Sequence, residues 1–159
     1  MPGGEASPAE NPSRVEEEPT PDASDGASEQ ALQAYAVTKP EIRDRAFDWD
    51  LQLQDMLDVY DGAAADRALR AAADDLLDLC RDQQRWLAAN TGYDPSYQEP
   101  MRLWRSVVDG LCAGAMNIVR GVDRRDETLV RKGRREIKAA RALRTSYEYF
   151  GAWGPLLIH

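Results

Sequence analysis

Residues 66–89 read DRALRAAADDLLDLCRDQQRWLAA, and their apolar positions decide the fold class. Leu69, Ala73, Leu76, Cys80, Gln83 and Leu87 recur at intervals of three and four, the period of an α-helix with one buried stripe. Asp66 is a good N-cap residue for it. Upstream, Ile42, Ala46, Trp49, Leu53, Met56, Leu57 and Tyr60 line one side of a helix that begins at about Pro40, favourable in a first turn, and stops at Asp61-Gly62. Downstream, Asn90-Thr91-Gly92-Tyr93-Asp94-Pro95 is dense in turn residues, and Ser96 and Glu99 are spaced as a capping box. A third helix then carries Met101, Trp104, Val108, Leu111, Ala115, Ile118 and Val122, with Gly121-Val122-Asp123 as its stop. Asp126 caps a fourth, with Leu129, Gly133, Ile137, Ala140, Leu143, Tyr147 and Phe150 inward and Gly151 and Gly154-Pro155 at its end. No run alternates strictly over five or more residues, so no half-buried strand is expected. Four helices joined by short turns predict an all-α, antiparallel up-down-up-down four-helix bundle over residues 37–151.

The chain has 159 residues, room for one domain, with 28 acids, 20 bases and a net charge of −8. Its first 30 residues hold eight acids, one base and no aromatic side chain. Such a segment buries too little apolar surface to offset the entropy of ordering, which predicts a disordered acidic Pro/Ser/Glu-rich tether over 1–36. Within it, Gly3-Gly4-Glu5-Ala6-Ser7 and the acidic, proline-bearing stretch that follows resemble the spacer behind the lipidated cysteine of bacterial surface lipoproteins. No such cysteine precedes it here. The start MPGGEASPAE lacks the pattern of a signal peptide, and no 18-residue apolar run exists. The expectation is a cytoplasmic protein, or one exported and tethered at the cell surface; membrane association would require a lipidated N-terminus in a longer precursor. Seventeen arginines against three lysines fit a GC-rich bacterial genome.

Enzyme signatures are missing. The single histidine, His159, excludes histidine-based triads, histidine-rich zinc sites and the Glu-x-x-His di-iron pattern. There is no Gly-x-Gly-x-x-Gly, no phosphate-binding Gly-Lys-Ser/Thr loop and no Cys-x-x-Cys. The expectation is no enzymatic activity, no cofactor and no metal. Asp44, Asp48, Asp55 and Asp58 project within about 80° on the first helix, a solvated acidic face in preference to a carboxylate cation site. Counted from a turn near Tyr93, Cys80 and Cys112 differ in height by about 7 Å, which predicts two free, buried thiols.

Charge is segregated along the chain: residues 31–96 carry a net −6 and residues 97–159 a net +5. Arg131, Arg134, Arg135, Lys138 and Arg141 share one face of the fourth helix, a candidate contact for an anion or a partner, whether nucleic acid, lipid headgroup or acidic protein. Overall acidity and the lack of interleaved aromatics argue against nucleic acid. The apolar end offers two readings, a segment packed over the end of the bundle or a docking tail at 152–159 built on Trp153, Leu156, Leu157 and Ile158. Gly110 and Gly114 predict a close helix–helix approach, and the aromatic residues are expected mostly in the core or at helix ends. Leu51 projects into the acidic face of the first helix, as an isolated exposed leucine or as part of a contact surface. The functional expectation is a non-enzymatic interaction or scaffold module with a protein partner, or a binder of an anionic ligand through the fourth helix.

Overall fold

Thr38 starts the first helix: its hydroxyl accepts from the Glu41 N–H, and Pro40 fills the first turn, where a missing N–H costs nothing. The computed structural model describes residues 35–157, and the compact unit begins at Val37, whose N–H donates to the Gly92 carbonyl. The described residues form five α-helices and one 3₁₀ turn, with no strand among them. These are α1 (Lys39–Gly62), α2 (Asp66–Ala89), the turn Pro95–Tyr97, α3 (Gln98–Arg124), α4 (Glu127–Arg144) and α5 (Tyr147–Leu157). The tether expected over 1–36 falls, apart from Tyr35 and Ala36, outside the described residues, as do Ile158 and His159.

Several boundaries differ from the sequence expectation for local reasons. Asp66 is the first helical residue of α2, behind Ala65. Asp94, not Ser96, caps the approach to α3, accepting from both the N–H and the hydroxyl of Ser96. Gly121 does not stop α3, because it is buried against α4; the stop is Arg125, whose φ of 56° places it in the left-handed region. Asp126 caps α4 as expected, accepting from Thr128 and Leu129. The expected fourth helix is two helices. Thr145 and Ser146 break it, both hydroxyls turning back to donate to carbonyls of α4, and Ser146 Oγ then accepts from Tyr149 N–H. α5 runs through Gly151, so residues 152–157, expected as part of a tail, form its second half.

The stripe of α2 is buried as read, with Leu69, Ala73, Leu76, Cys80, Gln83 and Leu87 all inside. The most extensive contact in the molecule joins α3 and α4, and glycine makes it possible. A Cβ on Gly114 would lie 2.6 Å from Ile137 Cγ1 and 2.7 Å from the Gly133 carbonyl, and one on Gly133 would lie 2.5 Å from the Gly114 carbonyl. The two backbones therefore meet where any side chain would hold them apart. Gly121 is held against Val130 and the Asp126 carbonyl in the same way.

Cys80 and Cys112 are free and buried, and their thiols are hydrogen-bonded to each other across α2 and α3. The height difference read from the sequence is overturned. Arg70–Asp123 and Gln84–Asp109 set a register in which the first turn of α3 extends past the end of α2, bringing the two cysteines level. The shared hydrogen bond and burial hold the Cys80 thiol far above the ordinary thiol range, so it stays protonated and inert.

Candidate functional site

At one end of the core, tryptophans from four helices converge. Trp104 of α3 lies 6.1 Å from Trp49 of α1, 5.8 Å from Trp86 of α2 and 5.4 Å, edge-on, from Trp153 of α5, measured between ring centroids. Such pairs add about 1 kcal/mol each beyond their burial. Arg45 closes the rim by stacking over Trp86 at 5.4 Å, while its guanidinium reaches Gln83 Oε1 at 3.1 Å and Asp82 at 2.9 Å. The indole N–H groups of Trp49 and Trp104 meet no acceptor among the described residues, so the centre of the cluster is held by ring packing rather than polar bonds.

Outside this cluster the aromatic surface remains open. A groove of about 560 Å³ lies between α1 and α5, lined by Ala46, Phe47, Tyr149, Phe150 and Trp153, with Arg43, Asp44, Asp50, Gln54, Arg144 and Thr145 around the apolar wall. Phe47 is 67% exposed and Phe150 59% exposed, on rims contributed by the two helices. Leu51, one turn on from Phe47, is exposed, as the projection indicated, and so is Tyr147. Arg144, mostly buried, sets both Nε and NH2 on one oxygen of Asp50, at 2.8 and 2.7 Å, and so fixes α1 to the end of α4. Burial pushes the Tyr149 hydroxyl well above its ordinary range, and the Asp50 charge adds to this, so it remains a neutral donor.

The residues singled out in the sequence fall into three groups. On α4, Arg141 forms a two-bond pair with Asp61 at 2.7 and 2.9 Å, Arg134 stacks 5.9 Å over Tyr60, and Arg131 reaches Glu127 at 3.7 Å. Arg135 and Lys138 are exposed and have no ion-pair partner among the described residues. Tyr60, Arg134, Ile137, Lys138 and Arg141 together line a shallow pocket of about 320 Å³. The Arg141 guanidinium holds the Asp61 carboxyl below its ordinary value, and burial lifts Tyr60 above its own against the pull of Arg134. At the C-terminus, Trp153 and Leu156 are buried in the core, so they are not exposed for docking; α5 folds its apolar stripe inward. Leu157 ends the helix, and Ile158 lies outside the described residues. On α1, Asp44, Asp48, Asp55 and Asp58 are exposed, and among the described residues no group of three or more histidine, cysteine or acidic side chains converges on a metal-sized site.

Phe47 escaped the sequence reading, although it stands one turn before Leu51 on the acidic face. Phe150 and Tyr147 were assigned to the inner stripe and are exposed, because the break at Thr145-Ser146 resets the helical phase. Two consecutive cap-forming residues are the sequence signal for that break. Comparison with models of protein families, with curated proteins and with solved structures finds no match for this chain.

Proposed function

We propose that this chain is a non-enzymatic helical interaction module whose contact surface is the face shared by α1, α4 and α5. The observation that carries the reading is the α1–α5 groove: two phenylalanines stand more than half exposed on the rims of an apolar trough in a chain of only two phenylalanines. Exposed apolar area gathered in one place and ringed by charge is the signature of a protein-binding surface. The helices behind it are read as an antiparallel up-down-up-down bundle, with α4 and α5 together as the fourth rod. Support comes from the cross-links Arg45–Asp82, Arg70–Asp123, Asn117–Glu136 and Arg144–Asp50, each between neighbouring rods.

The experiment is site-specific photocrosslinking with a benzophenone amino acid in place of Phe47, and, as control, of the exposed Asp75 on α2, in living cells of the native host. The expected result is a discrete covalent adduct from position 47 and none from position 75. Equal labelling from both positions would overturn the reading.

A second reading is favoured by the pocket on α4. Arg134, Lys138 and Arg141 line it together with Tyr60, a set of cations suited to a carboxylate or phosphate group. Inorganic phosphate should then shift the NMR resonances of these residues at millimolar concentration; no shift would remove it.

A further inference from the structure

The contact face carries its own charge pattern. The outward side of α1 presents Asp48, Asp55 and Asp58 together with Phe47 and Leu51, all exposed. Beside it, the outward side of α4 presents Arg131, Arg135 and Lys138, and α5 adds Tyr147 and Phe150. One rod is acidic and apolar, the adjacent rod basic and apolar. Each therefore matches what the other displays, so beyond the pairs made within the chain a second surface of the same kind complements the exposed charges.

Axial levels make the match specific. Tyr60 with Arg134, Asp61 with Arg141 and Asp50 with Arg144 tie α1 to α4, and Phe47 and Phe150 line the same groove; the levels that follow are the mean of these ties. At about 1.5 Å per residue, Asp58 then stands near the level of Lys138, Asp55 near Ala142, and Leu51 near Tyr147. A two-fold axis parallel to the helices preserves these levels while exchanging the rods. It lays α1 of one copy over α4 and α5 of the other, twice. The carboxylate of Asp58 then meets Lys138, and Phe47 and Leu51 meet Phe150 and Tyr147. The rival operator, perpendicular to the helices, sets α1 on α1 and opposes carboxylate to carboxylate.

We infer that the partner of this face is a second copy of the same chain, in an isologous dimer with α1 of each copy crossing α4 and α5 of the other. The inference rests on the reading of this face as a contact surface and names its occupant. Two rods of about 35 Å, together about 20 Å wide, offer roughly 700 Å² per copy, close to the ~800 Å² of a standard specific interface. The apolar end supplies desolvation and the charged end fixes the operator.

Sedimentation equilibrium of the full chain from 5 to 200 µM, at 0.1 M salt, is expected to show a species of twice 17.8 kDa. Two charge reversals follow, D58K and K138E, each at an exposed position. Each variant alone is expected to be monomeric, because like charges oppose at both contacts. An equal mixture is expected to recover the dimer, since the lysine at 58 then faces the glutamate at 138, and the native Asp58 and Lys138 face each other in the other half. Loss of folding cannot produce that recovery. A wild-type chain that is monomeric throughout, variants that still dimerise alone, or a mixture that stays monomeric would each overturn the inference. The crosslink at position 47 separates the two levels: an adduct of twice the chain mass supports the dimer, an adduct of another mass overturns it while leaving the contact surface in place, and equal labelling of positions 47 and 75 overturns both.

Discussion

Between α3 and α4, glycine lets two backbones touch; between α1 and α5, aromatic rings line a trough open to solvent. At the first contact, Gly114 and Gly133 face each other with no room for a Cβ, and Asn117 and Glu136 bond across the edge. At the second, Tyr149 and Trp153 pack inward while Phe47 and Phe150 stay out. Both regions draw on the same core, and Trp104 supports the second from beneath. The difference teaches that the helix–helix distance follows residue size, with glycines where two backbones meet and aromatic rings where α1 and α5 stand apart.

Trp104 is where the comparison breaks most completely. Trp104→Ala removes the ring that Trp49, Trp86 and Trp153 share, and is expected to lower unfolding free energy by about 4 kcal/mol in urea titration. Gly133→Leu attacks the seam alone. Its Cβ would meet the Gly114 carbonyl at 2.5 Å and the Ile118 nitrogen at 3.0 Å, backbone atoms that cannot swing aside, so a loss of about 3 kcal/mol is expected by the same titration. Gly110→Ala sharpens the contrast within one helix. There the neighbour is Ala140 Cβ at 3.1 Å, the gain in helix propensity offsets slight crowding, and the unfolding free energy should change by less than about 1 kcal/mol in urea titration. Phe47→Ser, in the open region, is expected to change stability by under about 0.5 kcal/mol while removing association.

The smallest effect is electrostatic. Arg141 holds Asp61 below its ordinary value, so the folded state is favoured where the carboxyl is ionised, above the ordinary carboxylate value, and that contribution is lost as pH falls through the folded one. In thermal melts Asp61→Asn is therefore expected to lower stability slightly at pH 7, by under about 1 kcal/mol for so exposed a pair, and by less as the pH falls through the carboxylate range.

Much of this was legible in the residues. The three-and-four spacing of α1, α2 and α3 follows from burying one side of a helix, and a helix cannot bury one side without that pattern. Gly110 and Gly114 announced the close approach, since a glycine in mid-helix costs about 1 kcal/mol and needs a reason. The α1–α5 groove was less legible. Phe150 belongs to the inner stripe only if the helix that begins at Asp126 runs unbroken, and the hydroxyls of Thr145 and Ser146 end that phase by bonding to carbonyls.

By itself, the sequence determined that the described part is helical, that Asp126 caps a helix, that α2 buries its stripe, and that acids gather on one half of the chain and bases on the other. Each of these is a property of neighbours within a few residues, where period and cap chemistry act directly. The tertiary structure alone decided that Cys80 and Cys112 are level, that Gly114 meets Gly133, that Arg141 belongs to Asp61, and that Phe47 and Phe150 share a groove. Those facts depend on how far one helix slides along another. That distance is set by side-chain volumes in the contact, which no local pattern encodes.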